Sequence, residues 1–120
     1  MNGSDLSGIR ILVVEDDFYL ATDVEKALLS AGADVFGPCG DEESGLVVVE
    51  NEEIDCAVLD VNFGPGPSFS LAHVMRDRGI PFLFVTGYDR EVIPTEFADI
   101  QRLEKPYVSY QLLAAVRRII

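Results

Sequence analysis

Four short apolar runs, each ending in a polar residue, constrain this chain more than any other feature. Ile11-Leu12-Val13-Val14 leads into Glu15-Asp16-Asp17, Cys56-Ala57-Val58-Leu59 into Asp60, and Phe82-Leu83-Phe84-Val85 into Thr86-Gly87. A shorter run ending at Leu103 leads through Glu104 to Lys105-Pro106. Runs that are apolar at every position, without alternation, fit strands buried on both faces, as in a parallel sheet. In open parallel α/β sheets, ligands bind just beyond the carboxyl ends of the strands. If the four runs are neighbours, one rim gathers three or four carboxylates, a hydroxyl and an ammonium.

The segments between the runs supply the rest of the fold. A strand over 10–14 is followed by a helix over 18–31, whose Leu20, Ala21, Val24, Ala27, Leu28 and Ala31 share one stripe and which Gly32 stops. A second strand covers 34–37 and ends before Pro38. Asp41 caps a second helix over 42–50, although its Val47-Val48-Val49 run favours strand. The third strand, 55–60, runs into Asn62-Phe63-Gly64-Pro65-Gly66-Pro67, a loop by composition. Ser68 is placed to cap a third helix over 69–78, ended by Gly79, and a fourth strand covers 81–85. The stretch 87–99 holds Pro94 and no helical stripe, so at most a short or irregular fourth helix is expected there. A fifth strand over 101–103 precedes a last helix from about 108, with Val108, Leu112, Leu113 and Val116 inward. Alternating strands and helices predict one α/β domain over 1–120, a doubly wound, five-stranded parallel sheet covered on both faces.

Composition excludes several classes. With 48% apolar residues, seven Phe and four Tyr, the chain has enough apolar surface to bury a core. No apolar run approaches the roughly 20 residues of a membrane span, and no secretory signal precedes the first strand, so a cytoplasmic protein is expected. The net charge of −12, from 9 basic and 21 acidic residues, disfavours direct contact with nucleic acid or an anionic membrane. Cys39 and Cys56 lie in or beside strand-like segments and read as small core residues. With a single His they form no zinc pattern.

The rim residues define a chemistry. Two carboxylates about 4 Å apart repel by about 4 kcal/mol at an effective dielectric near 20. Glu15, Asp16 and Asp60 therefore need raised pKa values or a bound cation. Oxygen ligands without thiol or imidazole favour Mg²⁺, or Mn²⁺ or Ca²⁺, over zinc. The competing reading is that Glu15, Asp16 and Asp17 cap the first helix, a role that suits Asp17. Asp60 ends the most apolar strand before a Gly/Pro loop, and a carboxylate there is able to attack phosphorus and form an aspartyl phosphate. That reaction needs a metal, a cation such as Lys105 and a small donor such as Thr86, with Gly87 allowing close backbone approach.

Ile11 to Asp17, Val58-Leu59-Asp60-Val61-Asn62, Val85-Thr86-Gly87 and Glu104-Lys105-Pro106 together resemble the receiver domain of bacterial two-component response regulators, the CheY-like family, over essentially the whole chain. The resemblance implies the flavodoxin-like strand order 2-1-3-4-5. It implies that Asp60 is the phosphoacceptor and that Glu15, Asp16, Asp60 and the backbone carbonyl of Asn62 bind Mg²⁺. Thr86 would hydrogen-bond the phosphoryl group and Lys105 pair with its oxygens, with the Lys105-Pro106 peptide cis. The implied phosphoryl donor is a histidine kinase or a phosphotransfer protein. Such a domain catalyses its own phosphorylation and dephosphorylation, and its output is a changed protein–protein contact.

Two positions depart from the usual receiver. Arg102 stands where a switch aromatic is expected, three residues before the lysine, and the spacing from Thr86 to Lys105 is short. With Pro81-Phe82-Leu83-Phe84-Val85-Thr86-Gly87-Tyr88, these features resemble a subgroup with a Phe-Ala-Thr-Gly-x-Tyr signature, varied here at Val85 and Tyr88. Receivers of that subgroup are often single-domain proteins served by kinases of the HWE or HisKA-2 classes. Tyr88, or order in the loop after Thr86, is then expected to replace the missing switch. His73 reads as a surface or partly packed side chain, Phe63 and Phe69 as core or partner contacts, and Tyr107 and Tyr110 as candidates for a partner face. Two alternatives remain besides a relic scaffold: a Mg²⁺-dependent aspartyl-phosphate hydrolase, which wants an acid where Asn62 stands, and a receiver domain excised from a hybrid histidine kinase.

Overall fold

The computed structural model describes residues 6–63, 66–67, 69–87 and 93–120. Five strands, β1 (Arg10–Val14), β2 (Asp34–Cys39), β3 (Cys56–Asp60), β4 (Phe82–Thr86) and β5 (Arg102–Glu104), form one parallel sheet in the order β2-β1-β3-β4-β5. Helices α1 (Phe18–Ser30), α2 (Glu42–Asn51), α3 (Ser70–Asp77) and α4 (Ser109–Ile119) cover it. This is the doubly wound architecture that the alternating pattern predicts, in the flavodoxin-like strand order that the resemblance implies. Among the described residues no helix is long and apolar enough to cross a membrane.

Register places the rim. Val14 lies beside Leu59 across β1 and β3, so Glu15 and Asp60 emerge together from adjacent strands. Asp60 pairs with Val85 across β3 and β4, and Thr86 with Glu104 across β4 and β5. The central strands β3 and β4 are buried at every position. Their alternate side chains feed two cores. Ile11, Val13, Val58 and Leu83 meet Val24 and Leu28 of α1 and Leu112 and Val116 of α4. Leu12, Val14, Leu59, Phe82 and Phe84 meet Leu71 and Met75 of α3 and Phe97. Each such fully buried side chain contributes about 1.5–3 kcal/mol.

Phe97 covers the sheet between β4 and β5. Among the described residues between β4 and β5, the only helical element is one 3₁₀ turn, Thr95–Phe97, begun by Pro94. Phe97 is fully buried, with its ring centroid 5.8 Å from Phe84, 6.1 Å from Phe82 and 6.0 Å from Phe69. The guanidinium of Arg76 stacks 4.7 Å above it and donates to the Glu96 carbonyl and the Asp99 carboxylate. One anchored aromatic thus does the covering that a helical stripe would do.

The structure corrects three expectations. Strand β2 does not stop before Pro38 but continues to Cys39, because β2 is an edge strand whose register against β1 shifts between Leu12 and Val14. A proline, lacking its N–H, is tolerated at such a bulge. Gly37 there has φ +99°, and a Cβ would sit 2.8 Å from the Val13 carbonyl oxygen. Val108 does not point inward: it is 54% exposed, since its backbone is extended (φ −107°, ψ 163°) before α4 begins. Its N–H is instead satisfied by Gln111 Oε1 at 2.9 Å. Finally, α3 starts at Ser70 with Phe69 in the N-cap position and no side-chain cap from it. Ser68, the expected cap, lies outside the described residues.

Candidate functional site

The rim is built from strand ends. Glu15 directly follows β1, and its N–H donates to the Cys39 carbonyl at 2.9 Å, fixing it beside β2. Its Oε2 accepts the Asp17 N–H at 3.1 Å, which folds the carboxylate back over the start of α1. Asp17 Oδ1 accepts the N–H groups of Tyr19 and Leu20, each at 3.0 Å, so Asp17 is the helix cap and is occupied there. That leaves Glu15 and Asp16 for the rim, as the sequence separates them.

Asp60 ends β3 and is almost wholly buried. Lys105, which follows β5 and Glu104, brings its Nζ to 3.3 Å from Asp60 Oδ2 and to 3.3 Å from Glu15 Oε1. Its own N–H donates to the Thr86 carbonyl at 2.7 Å, which locks the ammonium-bearing and hydroxyl-bearing residues into one register. The Lys105–Pro106 peptide is cis. Thr86 is buried at the end of β4. Val61 donates its N–H to the Val85 carbonyl at 3.0 Å, and Asn62 follows in a two-residue antiparallel pair, Asn62–Phe63 with Gly66–Pro67.

Electrostatics follow from this crowding. Burial, then the neighbouring Asp60, raises the Glu15 carboxyl to about 7, against the lowering influence of the Asp17 N–H and Lys105. Burial alone would discharge Lys105, but Asp60 and Glu15 outweigh it and hold its ammonium charged to higher pH than usual. One cation thus serves two buried acids. Glu15, Asp16 and Asp60 each offer an oxygen, and these oxygens lie within 4.8 Å of one another. A buried carboxyl that keeps its proton to about 7 beside another acid marks a deficit of positive charge. A hard divalent cation on an all-oxygen donor set fits that deficit.

Other expected residues fall elsewhere. His73 is half-exposed on α3, with Nε2 3.5 Å from Glu96 Oε2 and its ring against Phe97. Phe69 is a core contact, 5.7 Å from Phe84. Arg102 is exposed on β5. Tyr110 is exposed, whereas Tyr107 is half-buried, its phenol pushed up to about 12 by burial and by Glu15, Asp60 and Asp23. Cys39 and Cys56 are buried free thiols, Cys56 raised to about 12 by burial. Tyr88 and the side chain of Phe63 lie outside the described residues. Sequence reasoning missed Glu42, whose carboxylate reaches across to α3. No local pattern signals a partner 29 positions away.

Comparison with known proteins places this arrangement. No protein-family model matches the chain. It is 32% identical to SdrG from Sphingomonas melonis Fr1, whose solution structure superposes with a TM-score of 0.81 over 95% of this chain and 96% of that one. A response regulator receiver protein from Sinorhizobium medicae WSM419 is 28% identical, with a TM-score of 0.74 over 92% and 93% of the two chains. Among curated proteins, the regulatory protein VanR of Enterococcus faecium is 29% identical over 112 residues, 90% of this chain and 48% of VanR. The uncharacterized transcriptional regulatory protein YrkP of Bacillus subtilis is 34% identical over 89 residues, 72% of this chain and 37% of YrkP. The chain thus spans about half or less of the curated relatives it matches.

Proposed function

Because the chain belongs to the response regulator receiver (CheY-like) family of two-component signalling, we propose that it accepts a phosphoryl group on Asp60 from a histidine kinase or phosphotransfer protein. The observation that carries this reading is the shared ammonium. Lys105 Nζ lies 3.3 Å from both Glu15 and Asp60, where three acid oxygens converge.

In the proposed step a carboxylate oxygen of Asp60 attacks the donor's phosphorus. The P–N bond to the donor imidazole breaks, its electron pair stays on nitrogen, and the product is an acyl phosphate on Asp60. Lys105 Nζ sits 3.3 Å from Asp60 Oδ2 before attack and then pairs with the new phosphoryl oxygens as a point charge. The Thr86 hydroxyl, held at the end of β4, donates to the phosphoryl group. Mg²⁺ (or Mn²⁺ or Ca²⁺), held by Glu15, Asp16, Asp60 and the Asn62 carbonyl, supplies positive charge for the phosphoryl oxygens. Hydrolysis reverses the state: water attacks phosphorus, the P–O bond breaks, and Asp60 and inorganic phosphate are released. Asn62, two residues after Asp60, brings no second acid to protonate a leaving group, so lasting turnover of phosphoesters is disfavoured.

Residues 1–120 act as one receiver domain in this reading. The stretch 81–88 supports membership of the subgroup served by HWE or HisKA-2 kinases, and a site of this kind suits the cytoplasm. With Arg102 exposed on β5 in place of an inward aromatic, Tyr88, or ordering of the loop after Thr86, would carry the signal to a protein partner. Incubation with Mg²⁺ and a small phosphodonor tests the chemistry. A mass gain of one phosphoryl group, absent in Asp60→Asn, is expected. Sustained phosphoester turnover with no labile adduct would favour the hydrolase.

A further inference from the structure

We infer that Glu42 is a positioning residue for the phosphorylation site: it pins the start of α3 and thereby the loop that follows Asp60. This rests on the reading of Asp60 and its metal ligands given above. The loop runs from Val61 to Phe69 and carries the Asn62 carbonyl. Its first residue is held by the Val61 N–H bond to Val85 at 3.0 Å. At its far end, the N-cap residue Phe69 gives α3 no side-chain cap, although the first N–H groups of a helix have no partner within it. Glu42 supplies an acceptor from another helix. Its Oε2 accepts the Leu71 N–H at 3.0 Å, and a carboxylate there also complements the helix dipole.

The approach that makes this contact possible is written into α2. Gly45 lies one turn after Glu42, on the same face. A Cβ on Gly45 would stand 2.8 Å from Leu71 Cδ2 and 3.1 Å from Val14 Cγ2. The lack of a side chain there lets α2 settle against the first turn of α3. Glu42, Leu71 and Phe84 then line the same small cavity as Asp60. Glu42 acts through Leu71 and the loop, on the placement of the Asn62 carbonyl.

The test compares Glu42→Ala and Glu42→Gln with the unaltered full chain. The Leu71 amide proton shift by NMR reads the cap, and calorimetric Mg²⁺ titration reads the site. Glu42→Ala should lose the downfield Leu71 shift and weaken Mg²⁺ binding by about 10-fold, the size seen for residues that orient metal ligands. Phosphorylation by a small phosphodonor should slow at low Mg²⁺ and recover at saturating Mg²⁺. Glu42→Gln, which keeps an acceptor oxygen, should stay within about 3-fold of the unaltered protein in every readout. If Glu42→Ala does not fold, Glu42→Asp, which withdraws the carboxylate by one methylene, carries the same comparison. A variant that loses the Leu71 signature and binds Mg²⁺ normally overturns the inference. Failure of the unaltered protein itself to bind Mg²⁺ overturns the underlying reading of the site, and the two failures are separated by that first titration.

Discussion

Glu15→Gln should stabilise the metal-free protein at neutral pH and leave it nearly unchanged in acid. In the folded chain the Glu15 carboxyl holds its proton to about 7, against an ordinary 4.5, first because it is buried and then because Asp60 lies beside it. Between those values the folded state binds more protons than the unfolded chain. Stability therefore falls as pH rises through that window: the full contribution is present below 4.5 and is lost by the time pH passes about 7. A displacement of this size corresponds to a ceiling of roughly 3 kcal/mol. Relaxation of the site on ionisation and solvent screening reduce it to about 1–2 kcal/mol. Gln at this position keeps the oxygen that accepts the Asp17 N–H but does not ionise. Urea unfolding of both proteins in metal-free buffer, from about pH 4.5 to about pH 8, reads the difference directly. The unaltered protein should lose about 1–2 kcal/mol more than the variant over that range. Parallel profiles would falsify the claim that Glu15 is buried against Asp60 without enough positive charge. Added Mg²⁺ at neutral pH should restore the unaltered protein, by about 2.7 kcal/mol at a hundredfold excess over its Kd, and restore the variant less.

Three further outcomes follow from the geometry. Phe97→Ala empties a fully buried site among Phe69, Phe82 and Phe84 and should cost about 3–5 kcal/mol in urea unfolding; a loss below about 1 kcal/mol would contradict its anchoring role. Asp17→Ala removes the acceptor of two N–H groups at the start of α1 and should cost about 1 kcal/mol by the same measurement. Lys105→Met removes the ammonium shared by Glu15 and Asp60 and should slow phosphorylation by a small phosphodonor about 100-fold or more, followed by intact mass against time; an unchanged rate would remove Lys105 from the reaction.

The parts legible in the sequence were those governed by local rules. Unbroken apolar runs gave β1, β3 and β4 within a residue or so, because strands buried on both faces admit no alternation. Asp17 and Asp41 were readable as caps, since capping depends on the next two or three residues, and both accept those N–H groups. The meeting of Glu15, Asp60 and Lys105 followed from strand order, which the resemblance to receiver domains implies. What escaped depends on distant neighbours. Pro38 looked like a strand end because nothing local reveals that β2 is an edge with a shifted register. Val108 matched a helical stripe but sits one residue outside the helix. Among the described residues of 87–99 the weak pattern matches a single short turn, yet it did not show that Phe97, held by Arg76, would be the plug. Glu42 carries no local signal of its role, because its partner on α3 is set by the packing of α2 at Gly45.

The claim at the centre of this account is that Asp60 carries the phosphoryl group. It is tested most directly by treating the protein with Mg²⁺ and a small phosphodonor, reducing the adduct with borohydride, and mapping the modified peptide. An acyl phosphate is reduced to the alcohol, so Asp60 should be read as homoserine, with Glu15 and Asp16 unchanged. Reduction at Glu15 or Asp16, or a stable phosphate on His73 or a hydroxyl side chain with Asp60 intact, would contradict it.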